Sequence, residues 1–135
     1  MAFEEGVRSV SLAADASLAG YTGVPGLPGS ANPNDGKAQY RFVKVTGEST
    51  VGLADADEGP VIGVCQSKPQ VAGQAATIAI RGIVFVVAGA TVAAGDPISP
   101  QDTTGKAIKW VSGKALAGTA ITGGGAGELI SVLLA

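Results

Sequence analysis

The stretch Ala76-Thr77-Ile78-Ala79-Ile80-Arg81-Gly82-Ile83-Val84-Phe85-Val86-Val87 decides the fold class. It is rich in β-branched and aromatic residues, and Arg81-Gly82 divides it into two runs of strand length, each too short for a helix. Gly82 suits a bulge or sharp bend between them. Flanking runs have the same character. Tyr40-Arg41-Phe42-Val43-Lys44-Val45 alternates apolar with charged residues before Thr46-Gly47-Glu48 breaks it. Val61 to Cys65 follows a Gly59-Pro60 stop, Lys106 to Val111 alternates after Thr104-Gly105, and Ala115 to Ala120 and Glu128 to Leu134 complete the series. Strand-length runs at this spacing predict an all-β fold, a small β-barrel or β-sandwich. No window carries a capped 3.6-residue period, so any helix is short.

The N-terminal part reads differently. Val7-Arg8-Ser9-Val10-Ser11-Leu12 alternates as a short strand able to pair with a neighbour. Gly20 to Gly36, GYTGVPGLPGSANPNDG, keeps no period and is a loop longer than ordinary connections. The expected organisation is an N-terminal arm and Gly/Pro-rich loop over residues 1–37 and a compact β domain over 38–135. An internal echo runs through that domain at a constant offset of 54 without a gap. It sets Val61–Cys65 on Ala115–Thr119, Ala72-Gly73-Gln74 on Ala126-Gly127-Glu128, and Thr77–Ile80 on Ser131–Leu134, with a third Ala-Gly-polar turn at Ala94-Gly95-Asp96. It is either a repeated β unit or a product of how common Ala and Gly are here.

Composition narrows the chemistry. The apolar fraction of 46% comes mainly from Ala and Val, with 4% aromatics and 21 glycines, so each buried side chain contributes little area. Such a thin core points to stabilisation by association with other subunits. The net charge of −2 and the scattered Lys and Arg disfavour nucleic acid. The longest apolar stretch, Ile83 to Ala90, falls far short of the roughly 20 residues a membrane-spanning helix needs. The acidic start Met1-Ala2-Phe3-Glu4-Glu5 shows no secretory signal, so synthesis in a cytoplasm is expected.

There is no histidine, which removes the commonest general base and metal ligand and excludes Ser-His-Asp and Cys-His catalysis. Cys65 is the single cysteine, placed in an apolar run as a core filler, so neither an internal disulfide nor a thiolate metal site is available. Asp55, Asp57 and Glu58 precede Gly59-Pro60, and Asp96 and Asp102 flank Pro97 and Pro100, which reads as solvated turns rather than a catalytic carboxylate pair. The Asp55–Glu58 run lacks the glycine and distal glutamate of an EF-hand. Gly123 to Gly127 lacks the Lys-Ser/Thr and helix of a phosphate loop. No catalytic residue, cofactor or metal is expected. Trp110 and Phe85 are candidate surface anchors, although burial is the stronger expectation in a core so poor in aromatics. A biotinyl- or lipoyl-type carrier domain is the alternative, with Lys68 before Pro69 the nearest attachment site, but the flanking Met or Asp usual at such sites is missing.

The chain resembles the capsid decoration (cement) proteins of tailed bacteriophages. The residues that carry the resemblance are FVKV at Phe42–Val45, the stretch from Ile62 to Ser99 with its IGV-Q-KP, AGQ-A-TI-I-G and AG--V-AGD elements, and GKALAGTAITGGGAGELISVLL at Gly113–Leu134. Val7 to Gly20 resembles the family's N-terminal segment, while Tyr21 to Lys37 has the character of an insertion. The resemblance implies a homotrimer on the outer surface of the virion, seated on the major capsid protein and reinforcing the expanded head. It makes Phe3, Val7, Arg8, Val10, Leu12 and Trp110 the candidate capsid or oligomer contacts. Phe3 to Leu12 would then order on the capsid by adding a strand to a sheet edge. A capsid-surface adhesion module is the variant of this reading.

Overall fold

The structure, a computed structural model, describes residues 8–18, 39–55, 60–69, 71–101 and 104–134. These hold ten strands and no helix: β1 (Arg8–Ala14), β2 (Phe42–Gly47), β3 (Thr50–Leu53), β4 (Gly63–Cys65), β5 (Ala75–Arg81), β6 (Ile83–Val87), β7 (Pro97–Pro100), β8 (Ala107–Lys109), β9 (Gly118–Ala120) and β10 (Leu129–Leu134). The first five close a barrel in the order β1-β3-β2-β4-β5, and the other five form a sheet in the order β6-β10-β9-β7-β8. An isolated parallel bridge, Ala88↔Ala107, draws the two ends of that second sheet together. The chain passes from barrel to sheet through Gly82, whose φ of 101° makes the bend expected of Arg81-Gly82.

Arg8–Ala14 is a strand of this barrel. It runs antiparallel to β5 from Ser9↔Ala79 to Ala13↔Ala75 and parallel to β3 at Ala13↔Thr50. Of the Phe3–Leu12 segment expected to add to a neighbour's sheet, Arg8–Leu12 therefore pairs within its own chain, and Phe3–Val7 lies outside the described residues. Two strands went unpredicted. Thr50–Leu53 follows a hairpin turn that includes Ser49 at φ 55°, and Pro97–Pro100 begins and ends with residues that cannot donate to a ladder.

Because side chains alternate across a strand, β2, β4 and β5 serve two cores at once. Val43, Cys65 and Ile78 point into the barrel with Ala14, Leu18, Val51 and Ala76. Their neighbours Phe42, Val64 and Ala79 point the other way and pack with Val84, Val86, Ile98, Ile130 and Val132 of the second sheet. The thin core is thus two clusters back to back, and Phe42, the largest fully buried side chain, joins barrel to sheet.

The three Ala-Gly-polar turns are one motif used three times. Gly73, Gly95 and Gly127 have φ of 91°, 90° and 87°, and the amides of Gln74, Asp96 and Glu128 donate to the carbonyls of Val71, Ala93 and Gly125 at 3.1 Å each. A glycine at the third position of a hydrogen-bonded four-residue turn with positive φ is the type II arrangement. Each turn also clasps a buried alanine. The Gly73 amide donates to Ala14 O and the Ala14 amide to Gln74 O, and the same exchange joins Gly95 and Asp96 to Ala120, and Gly127 and Glu128 to Ala88.

The echo at offset 54 is realised with one slip. Val64↔Ala79 and Cys65↔Ile78 in β4–β5 correspond to Thr119↔Leu133 and Ala120↔Val132 in β9–β10. The second strand of each pair keeps the offset, while the first is displaced by one more residue (Val64 to Thr119), which corrects the gapless alignment. Gly63 and Gly118 are equivalent in this scheme: a Cβ on either would strike a backbone carbonyl oxygen, of Ala79 or of Leu133. A second relation, displaced by 32 positions (Val86 to Gly118, Pro100 to Val132), makes β6–β7 and β9–β10 mutual partners. Val87↔Leu129 and Val86↔Ile130 match Thr119↔Pro97 and Gly118↔Ile98, with the Val92↔Gly124 bridge between them.

Where β1 ends, Asp15 ties it to the rest of the barrel. Its Oδ1 accepts hydrogen bonds from Ser17 N (2.8 Å) and Ser17 Oγ (2.6 Å), and its Oδ2 accepts one from Thr46 Oγ1 (2.8 Å). Burial opposes ionisation of this carboxyl, but the Ser17 and Thr46 hydroxyls and the Ser17 and Leu18 amides outweigh it and hold its pKa below the ordinary value.

Candidate interaction surfaces

The expected contact residues do not form one patch. Phe3 and Val7 lie outside the described residues. Arg8 and Val10 are exposed on β1, whereas Leu12 is half-buried against the barrel interior. Trp110 lies at the end of β8, in the other sheet, half-buried, with its indole Nε1 donating to Lys114 O at 2.8 Å across a turn. Phe85, for which burial was expected, is instead 55% exposed.

Phe85 belongs to a surface that sequence reading missed. The outward residues of β6 are Ile83, Phe85 and Val87, and their register partners on β10 are Leu133, Ser131 and Leu129. Ile83, Phe85, Leu129 and Leu133 are all about half exposed, while Val84, Val86, Ile130 and Val132 between them are buried. Thr119 extends the face beside Leu133, and exposed Ile121, whose amide donates to Ser131 O, extends it on the same side. Antiparallel strands with one wet face normally alternate apolar with polar; runs apolar at every position belong to strands covered on both faces. The runs Ile83–Val87 and Leu129–Leu134 were the signal for this face.

The remaining features hold little chemistry. A shallow depression between barrel and sheet is lined by Val61, Ile62, Gly63, Ile80, Leu116, Ala117 and Leu134, all without a titratable group. Among the described residues no three of His, Cys, Asp and Glu come together as a metal site would require. Asp55 pairs with Lys44 at 3.2 Å, and Asp96 Oδ2 accepts the Ala93 amide inside its turn; Asp57, Glu58 and Asp102 lie outside the described residues. Cys65 is buried, and burial pushes its thiol pKa up. Lys68 is half-buried in the connection from β4 to β5, whose tight turn is at Val71–Gln74, so it does not sit at a hairpin tip.

No protein-family model matches the chain, and no curated protein does. Among solved structures it is similar to the crystal structure of the head fiber gp8.5 N base in bacteriophage phi29. The TM-score is 0.64 over 95% of each chain, at 15% identity. The two share a fold. At that identity the likeness speaks for the backbone arrangement of barrel and sheet, with most side chains replaced.

Proposed function

We propose that this chain is a structural protein of a tailed-phage virion that binds the outer surface of the capsid, through the major capsid protein, and stabilises the expanded head. The observation that carries the reading is the shared fold over 95% of both chains with a head fiber base. The motifs that resemble capsid decoration proteins point the same way. The reading assigns no catalytic step and no cofactor. Several copies held together on the shell, most simply a homotrimer, would act by multivalency: one seated contact raises the effective concentration of the next, so modest contacts sum to a firm clamp. Because the similar structure is the base of a fiber, a second form of the role is favoured beside plain cementing, a platform on the head that carries a further structure outward.

Cosedimentation of purified protein with expanded, undecorated heads tests the proposal. Saturable binding in fixed ratio to the major capsid protein, with heads that withstand more heat or chelator than bare ones, is expected. Absence of binding to any expanded head would remove it.

A further inference from the structure

The outer face of β6, β10 and β9 is apolar where solvent-facing strands are ordinarily polar. Ile83, Phe85, Leu129, Leu133 and Ile121 are 54%, 55%, 49%, 45% and 45% exposed. About half of each of these large side chains is open to solvent, roughly 80–110 Å² apiece, or about 400–550 Å² together. A standard interface takes about 800 Å² from each partner. In homo-oligomers about 65% of it is non-polar, which is about 500 Å². The face therefore supplies the whole apolar share of one such interface.

Its composition agrees. Ile83, Phe85, Val87, Thr119, Ile121, Leu129, Ser131 and Leu133 include no charged residue, which is the composition of an interface core, and the interfaces of obligate homodimers belong to the more hydrophobic class. The anchor is already held in place. The Phe85 ring meets Tyr40 edge-on, with centroids 6.5 Å apart and planes at 78°, so little side-chain freedom remains to be lost on binding.

We infer that this face is where the protein meets a second copy of itself. The inference deepens the proposed role, on which its biological meaning rests, by naming the residues through which copies join: Phe85 at the centre, Ile83, Leu133 and Leu129 around it. It also moves the expected contact away from Trp110.

Light scattering of the free, full-length protein after size-exclusion chromatography tests it, on a dilution series centred at about 1 μM. The wild type is expected as a defined oligomer. The double variant Phe85→Lys/Leu133→Lys is expected as a folded monomer, with the circular dichroism of the wild type and self-association weakened at least about 100-fold, because two charges would have to be desolvated. If that variant fails to fold, the singles Phe85→Ser and Ile83→Lys take its place. Val111→Lys, an equally exposed change in the turn after β8, leaves the mass unchanged. A monomeric wild type across the series overturns the inference, as does a folded face variant that keeps the assembled mass. A monomeric wild type whose face variant loses head binding also overturns it, assigning the face to the shell. Free-protein mass does not depend on heads, so failure of the capsid reading and failure of this one remain distinguishable.

Discussion

Phe42 and Phe85 are the same side chain in opposite settings, and truncating each to alanine separates what holds the monomer together from what is left for a partner. Phe42 is fully buried at the junction of barrel and sheet, packed with Val64, Ala79 and the inward residues of β6, β7 and β10. Phe42→Ala removes its transfer free energy and leaves a cavity between two layers that cannot collapse independently, a cost of about 3–5 kcal/mol. For a domain stable by about 5–15 kcal/mol, that is a large share of the total. Because Phe42 and Val43 feed adjacent cores from one strand, both layers should unfold in a single weakened transition. Phe85 is 55% exposed, so Phe85→Ala in a monomeric background should cost about 1 kcal/mol or less. Urea denaturation followed by circular dichroism and by tryptophan fluorescence gives both values, with midpoints compared at equal slope. Trp110 reports on the second sheet, so coincident transitions by the two probes test the coupling directly. A Phe42→Ala loss below about 1 kcal/mol, or a sheet that melts while the barrel stays folded, would refute the idea that this residue joins the layers.

Three further outcomes are expected. Gly63→Ala and Gly118→Ala each set a methyl group against a backbone carbonyl and should each cost about 1–3 kcal/mol, whereas Gly95→Ala, with open space around it, should cost about 1–2 kcal/mol from its positive φ alone; widely different urea midpoints for Gly63→Ala and Gly118→Ala would contradict the equivalence of β4–β5 and β9–β10. Asp15, with its folded pKa below the unfolded value, contributes stability above the ordinary carboxylate pKa that is lost as pH falls through the folded value; Asp15→Asn should therefore flatten the acid limb of a stability–pH curve, and an unchanged limb would count against the hydrogen-bonded carboxylate. Cys65, buried and with its thiol pKa raised, should resist iodoacetamide at pH 8 in the native protein and react fully in denaturant, as read by intact mass.

Most of the strand content was legible because its carriers are local. Runs such as Ala76–Ile80 and Ile83–Val87 announce themselves by β-branched residues, and Gly82 by the bend it permits. β3 and β7 escaped for physical reasons: Thr50–Leu53 is short and contains Gly52, and Pro97–Pro100 reads as loop because proline rarely serves a sheet, although here it occupies both ends of a strand. The partner of β1 was not legible, since alternation in Val7–Leu12 says that a strand forms but not which edge receives it; that depends on Ala75–Arg81 lying nearby in space. The turn motif was visible as Ala-Gly-polar, yet the alanines it clasps, Ala14, Ala88 and Ala120, are unremarkable in a chain so rich in alanine. The outer face of β6 and β10 was written in the apolar run Ile83–Val87 and in Leu129–Leu134, apolar but for Ser131, yet burial was expected for Phe85 where, among the described residues, only one side of the strand is covered.

The order of strands in the second sheet bears on how the protein is made. β10, the last of the ten strands along the chain, lies between β6 and β9. The strands of the barrel are all encoded by Arg81 and emerge first while translation continues. The sheet is completed late: β6 waits for a neighbour encoded roughly forty to fifty residues later, from Val87↔Leu129 to Ile83↔Leu133. During that interval Phe42, Val64 and Ala79, the barrel strands' side of the shared core, lack the sheet residues that cover them. A nascent chain paused at this point would be a target for chaperones, and slow codons placed before β10 would lengthen its exposure.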